Sequence, residues 1–442
     1  MTSSCVSIED LPINRFHQKL TVCVWGGSFV DGYVLSIVGV VMLQMSAAAG
    51  LDSFWEGLIA AAALIGIFFG GLLGGWLADK VGRRRIMFVG PTIFILASIC
   101  HLWVESAAML FGLRLLIGIA VGIEYPVATS VLVEFMPRRQ RGPRLAALAL
   151  MWFIGAASAY VVGELMLRSG VQDAWKLALA SGSVFGGLLL FIRLGVPESP
   201  RWLLSKGRAD DADRVIKSVY GRSFSLSNLP ECVKTQRLPL GALLRSGYGK
   251  RLFFVVTFWT CSIVPVFAVY AFAPKVLAAL NLTGGLSSWG SVIITVFFVI
   301  GCLVATSLIN RIGRRNMLIY SFLFSGLALF GLASFPNGAG ALVLVFFSLY
   351  ALFIGGAQVL ALVYPNEIFP TEMRAVAVGI GTSLSRIGAA AGTYLVPASL
   401  ESLGTTQTLY AAVLITLVGL LVSMFMAPET RSLNLQQAAA LH

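Results

Sequence analysis

A chain of 442 residues is long enough for several soluble domains, but its composition excludes them. Hydrophobic residues make up 57% and charged residues only 12%, against the roughly 25% charged share typical of soluble domains, and the mean hydropathy is +0.86. Disordered, collagen-like, coiled-coil and ordinary globular classes all fail on these figures, so the chain reads as an integral, multi-pass protein of the cell (inner or plasma) membrane. The formal net charge of +12 does not point to nucleic acid, because the basic residues form short clusters between long apolar runs, the pattern of cytoplasmic loops.

A helix crossing a bilayer takes roughly 20 apolar residues, and that window places spans at roughly 20–45, 55–78, 86–105, 108–133, 144–168, 175–195, 251–279, 288–309, 316–335, 339–364, 375–398 and 406–427. The run after Arg15 and Lys19 is too long for the core of a cleaved signal peptide, so it is the first span. One long connection divides the spans six and six. It gives an N-terminal six-helix bundle over 1–195, a cytoplasmic linker with short surface helices over 196–250, and a C-terminal six-helix bundle over 251–442. A polar stretch from Arg201 to Tyr220 is the helical part of that linker. With the N-terminus inside, 27 of the 32 Lys and Arg fall in cytoplasmic segments, three (Arg168, Lys176, Lys275) outside and two (Arg114, Arg386) within spans. The opposite orientation inverts that ratio, so both termini are expected in the cytoplasm. No phosphate-binding loop, HExxH, nucleophile elbow or metal-ligating cysteine spacing occurs, so neither an enzyme, a metal site nor a cofactor is expected.

The two halves repeat. Asp79-Lys-Val-Gly82-Arg83-Arg84 recurs as Asn310-Arg-Ile-Gly313-Arg314-Arg315. Glu134-Phe-Met-Pro137, with Arg141 beyond it, recurs as Glu367-Ile-Phe-Pro370 with Arg374. Pro197-Glu198-Ser199 recurs as Pro428-Glu429-Thr430. A duplicated six-helix unit is the mark of a secondary transporter that rocks two bundles about a central site.

These residues also carry a family resemblance. The stretch from Gly75 to Arg85 resembles the signature of the major facilitator superfamily between its second and third helices, and Arg114-xxx-Gly118-xxx-Gly122-xxx-Pro126 resembles its fourth-helix motif. Pro197-Glu198-Ser-Pro200-Arg201, with Glu367 to Arg374 and Pro428-Glu429-Thr430-Arg431, is similar to the sugar porter branch and its organic-ion and metabolite:proton symporter relatives. The resemblance covers essentially the whole chain. It implies an all-α fold of twelve transmembrane helices in two pseudo-symmetric six-helix bundles, working by alternating access as a monomer in the lipid bilayer, with a small molecule and protons as its partners. It further implies that the repeated charges (Asp79, Arg83, Arg84, Glu134, Arg141, Glu198, Arg314, Arg315, Glu367 and Arg374) latch the two bundles at the cytoplasmic gate. The alternative is that the arginines only fix topology and bind lipid headgroups.

Charges inside the membrane are costly and so point to function. Asp31 and Arg114 break the repeat: shifted by the offset of about 232 that relates the halves, they fall on Ser262 and Phe346. Asp31 lies ~16 Å from the cytoplasmic side and Arg114 ~9 Å from the external side at ~1.5 Å per residue, a height difference of about 5 Å in a ~30 Å core. An aspartate beside a mobile arginine takes up and releases a proton as the arginine leaves and returns; a static ion pair is the alternative. The resemblance to proton-coupled sugar porters favours the proton-coupling role. Arg386, ~18 Å deep, calls for a bidentate anion such as a substrate carboxylate. The lone amide Gln358, with Glu124 and the aromatic residues Trp152, Trp259 and Tyr270, completes the set of candidate substrate contacts. The chain is thus expected to be a proton-coupled symporter of a small organic metabolite, an organic acid. The alternatives are a proton-coupled sugar or polyol symporter and a carrier of organic cations or drugs. Sugar ranks lower because paired amides are missing from the seventh span, and an organic cation would turn on Asp31 and Glu124.

Overall fold

The computed structural model describes residues 8–228, 248–280, 285–335, 340–369 and 371–431. Among them are twelve long helices: α1 (Arg15–Ala49), α2 (Ser53–Val81), α3 (Arg83–Cys100), α4 (Ala107–Phe135), α5 (Arg138–Leu167), α6 (Ala174–Ala180 with Gly182–Arg193), α7 (Gly249–Ala279), α8 (Gly285–Ile312), α9 (Arg314–Ser334), α10 (Gly340–Ile368), α11 (Thr371–Ser402) and α12 (Thr405–Met426). Each coincides with one expected span, and most run a few residues beyond it, because the apolar window measures only the hydrocarbon layer. The 35 residues of α1 extend ~52 Å at ~1.5 Å per residue. Local signals set the ends: Asn14 and His17 close a capping box at the start of α1, Gly50 ends it at a φ of 60°, and Asp52 and Ser106 cap α2 and α4.

Among the described residues, eleven of the helices are long and apolar enough to cross a membrane. The other, α11, is as long but carries Thr382, Ser383, Ser385, Arg386 and Thr393 along its middle. A helix that polar belongs against protein or a water-filled cavity, not against lipid. The expected linker helix is two pieces, Pro200–Ser205 and Ala209–Tyr220, parted at Gly207, whose φ is 73°.

Packing follows the repeat. In the first half α1 lies on α5 and α2 on α4; in the second α7 lies on α11 and α8 on α10. The halves meet where α1, α2 and α5 face α7, α11 and α8. At the α1–α7 crossing a Cβ on Gly39 would collide with the carbonyl of Tyr270, so the close approach requires glycine there.

The repeated motifs build the basic end of each bundle. Gly82 and Gly313 turn the chain between helices at φ 113° and 92°, a region that disfavours any side chain. The next helix in each half lacks a side-chain cap of its own, and a distant acid supplies one. Glu198 accepts the backbone N–H of Arg83 at 2.9 Å and of Arg84 at 3.2 Å. Glu429 does the same for Arg314 at 3.0 Å and Arg315 at 3.2 Å. Arg83 pairs with Asp79 at 3.1 Å and Glu134 at 3.3 Å, and Arg314 with Glu367 at 3.0 Å. Asn310, which stands where the first half has Asp79, still accepts from Arg314 at 3.1 Å. Arg141 pairs with Glu9 at 2.8 Å; the side chain of Arg374 lies outside the described residues.

The expected latch between bundles therefore takes a different form in this conformation. The pairs of Arg83, Glu134, Glu198, Arg314, Glu367 and Glu429 each close within one bundle, and Arg84 contributes its main chain. They act as braces because the loop motif and its acidic partners come from neighbouring helices of the same half. A carboxylate on a helix N-terminus is stabilising, and losing a cap costs about 0.5–2 kcal/mol. Glu198→Ala should therefore lower the melting temperature of the purified protein measurably. Arg84→Ala should leave it nearly unchanged, since the contact uses the backbone.

Candidate functional site

The charged residues of the membrane interior fall into two groups, one inside the first bundle and one where the bundles meet. Asp31, on α1, is only 3% exposed, and its Oδ1 has no hydrogen-bond partner. The charges that act on it are those of Glu124 from α4 and Arg193 from α6. Arg193 and Glu124 form an ion pair whose side chains are 0% and 3% exposed. Arg193 also donates to the Met87 carbonyl of α3 at 2.5 Å. Glycine makes room for the pair: a Cβ at Gly27 would collide with both Glu124 and Arg193, and one at Gly90 would sit 2.5 Å from Glu124 Oε2.

Arg114 is not the partner of Asp31. Its guanidinium donates to the carbonyls of Val34 at 2.6 Å and Leu35 at 3.3 Å, one turn further along α1. The two residues have similar heights, but α4 aims Arg114 at the backbone above Asp31. Glu124, expected to reach the substrate, is instead turned toward α6. On sequence Arg193 stands at the end of the sixth expected span and counts among the cytoplasmic charges; the structure buries it fully. The signal against that placement was the apolar Leu194-Gly195-Val196 that follows it, which keeps Arg193 within the span.

Where the bundles meet, Arg386 of α11 lies with its guanidinium 5.6 Å from the Phe267 ring centre. Its Nε is buried without a hydrogen-bond partner, and no carboxylate pairs with it among the described residues. Phe267 in turn meets the edge of Trp152 from α5, with ring centres 5.8 Å apart. Trp152 meets Tyr270 of α7 at 5.5 Å. Tyr125 of α4 is within electrostatic reach of both Asp31 and Arg386, so it links the two groups. Arg386, Trp152 and Tyr270 are thus joined through Phe267 in one run of contacts. Gln358 found its partner in the protein: its Nε2 donates to the Ser262 carbonyl of α7 at 2.9 Å. The Trp259 ring packs on α11 at Gly381.

Over residues 20–441 the chain matches the family described as sugar (and other) transporter. It is 37% identical to YaaU of Escherichia coli (strain K12), over 98% of this chain and 97% of that one. The chain belongs to the family of sugar (and other) transporters. It is 34% identical to the inner membrane metabolite transport protein YgcS of the same organism, over 99% and 97% of the two chains. Its fold matches that of the E. coli xylose transporter XylE in a partially occluded inward-open conformation, with a TM-score of 0.80, 20% identity and coverage of 95% and 100%. As in its relatives, the work of this family member is transport, and it is not an enzyme.

For a transporter, the ends of the bundles matter as much as the middle. At the end away from the arginines, polar ties cross from one bundle to the other. Lys275 of α7 pairs with Glu56 of α2, whose other oxygen accepts from Ser46 at 2.5 Å. Ser53 of α2 donates to Glu401 of α11, and the Phe54 ring stands edge-on to Tyr394 at 6.1 Å. In the middle, the Tyr160 hydroxyl of α5 donates to the Tyr270 carbonyl at 2.8 Å.

These contacts tie the two bundles together at that end; Lys275 is partly exposed and Glu56 is buried. In a cysteine-free background carrying Phe267→Cys, Glu56→Gln should raise labelling by an impermeant thiol reagent from that side about threefold to fivefold. Exchanging the charges, with Glu56→Lys and Lys275→Glu together, should restore slow labelling.

Proposed function

We propose that this transporter is a proton-coupled symporter of a small organic acid, with Arg386 holding the carboxylate and Asp31 carrying the proton. The observation that supports this most directly is the unpaired guanidinium of Arg386 where the bundles meet. A cation in the membrane interior costs at least about 2.5–3.5 kcal/mol unless it has a partner. Arg114 and Arg193 have partners in the protein; Arg386 has an aromatic face on one side and a buried, unused N–H. A planar carboxylate suits that fork, and Phe267, Trp152 and Tyr270 offer an apolar wall for the remainder of the molecule.

The cycle follows from that placement. Substrate and proton bind the site from one face, the bundles rock about α1, α2 and α5 against α7, α11 and α8, and both leave on the cytoplasmic side. Neutralising Asp31 by protonation lets the loaded site turn without carrying a bare buried charge. The sugar alternative is supported by the family itself, described as sugar (and other) transporter, and by the shared fold with a protein described as a proton:xylose symporter. Against it, the amide nitrogen of Gln358 is already engaged, and a polyhydroxylated ligand needs many such groups.

A thermal-shift screen of carboxylic acids, sugars and amines decides the class, because a ligand that binds only the folded state stabilises it. A carboxylic acid should raise the melting temperature and its methyl ester should not. Arg386→Lys should weaken acid binding tenfold or more, about 1.4 kcal/mol, since an ammonium lacks the paired geometry. Stabilisation by a sugar or an amine that is indifferent to Arg386→Lys would overturn the organic-acid reading. For coupling, Asp31→Asn should abolish accumulation driven by a pH gradient in proteoliposomes while sparing exchange of the same acid at equal pH. Undiminished uphill uptake in that variant would remove Asp31 from the proton path.

A further inference from the structure

We propose that Asp31, Glu124 and Arg193 form a single proton-holding centre in which the Glu124–Arg193 pair, rather than Arg114, decides whether Asp31 is charged. This deepens the coupling role given to Asp31 above. The cluster has two carboxylates and one guanidinium, contributed by three different helices and closed off from water. Glu124 and Arg193 neutralise each other, which leaves Asp31 as the surplus acid. A second ionised carboxylate beside that pair would add an uncompensated charge to a dry site, which burial and like-charge repulsion both disfavour. A proton on Asp31 removes that repulsion.

The oxygen atoms agree with a proton there. Asp31 Oδ1 and Glu124 Oε2 are both buried without a hydrogen-bond partner. Two ionised carboxylates can only accept, whereas a protonated Asp31 gains a hydroxyl to donate. The groups facing the centre are few. Cys23 of α1 lies within reach of the Arg193 charge, and Tyr125 within reach of those of Asp31 and Arg386. Arg114 spends its N–H groups on α1 carbonyls one turn away. Arg193 is therefore the cation available to Asp31.

Its position lets it move. It is the last residue of α6, a helix divided after Ala180, and Gly195 follows two residues later with a φ of 80°. If Arg193 turns so that its guanidinium bridges Glu124 and Asp31, the cation stabilises the ionised Asp31 and the proton leaves it.

The test needs no substrate, only protons. Infrared difference spectra of the purified protein across pH 5–9 report the carbonyl stretch of a protonated buried carboxyl. Wild type should show one such band at neutral pH, and Asp31→Asn should abolish it. Glu124→Gln frees Arg193 for Asp31, so at neutral pH the Asp31 band should fall at least tenfold. Arg114→Gln should leave the band within twofold of wild type. The double variant Glu124→Gln with Arg193→Gln removes both charges together and should restore the band. This guards against a folding defect, which a thermal melt of each variant also reads. A band absent from wild type, unmoved by Glu124→Gln, or lost in Arg114→Gln overturns the proposal. The reading of transport can fail separately: a wild-type band of the expected behaviour with no uptake driven by a pH gradient would leave the proton centre standing and remove the coupling.

Discussion

A charge in the dry interior of a membrane must be matched, and the few ways of matching it account for much of this protein. The matching group is a backbone carbonyl, an opposite side chain, a proton or a ligand. Arg114 uses the first, Arg193 the second, and the chemistry proposed for Asp31 and Arg386 uses the third and fourth. Arg114, which backbone carbonyls satisfy, is a fixed part of the first bundle. The residues the protein leaves open are those able to change state during a cycle. Function here is the set of charges that the fold declines to neutralise.

That division also explains the asymmetry between halves that share their loops. The repeated residues build helix turns and braces, tasks that two bundles of the same shape need equally. The unrepeated ones are concentrated in α1, α4 and α6 of the first half and in α11 of the second. Protons and substrate would then be handled largely by different bundles, with Tyr125 of α4 within electrostatic reach of both Asp31 and Arg386.

Much of the fold was legible in the sequence because lipid is a demanding solvent. Each span needs its own apolar run, and a duplicated topology repeats its loop signatures, so twelve helices in two sixes followed directly. The side-chain partners were less legible, for reasons visible at particular residues. Heights along a helix placed Asp31 level with Arg114, but height says nothing of which way a side chain is turned about the helix axis. Arg193 stands at the edge of an apolar run, where a charge belongs either to the loop or to a buried pair, and only the position of Glu124 on another helix distinguishes them. Gln358 was recognised as needing a partner, yet a carbonyl of α7 satisfies that need as well as a substrate does.

The contrast between the two ends of the molecule bears on how the transporter turns over. Contacts that hold one bundle together need not break during a cycle and can be as strong as geometry allows, as with Glu198 on a helix N-terminus and Arg314 against Glu367. Contacts that join the bundles must form and break in every cycle, so each should contribute little. The tie between Lys275 and Glu56 meets that condition, because desolvating the buried carboxylate offsets much of what the pair gains. An apolar seal of equal area would hold that end shut more tightly, at roughly 25 cal/mol per Å² buried. A weak polar tie is therefore the suitable fastening for a gate, and a strong brace the suitable one for the bodies that swing about it.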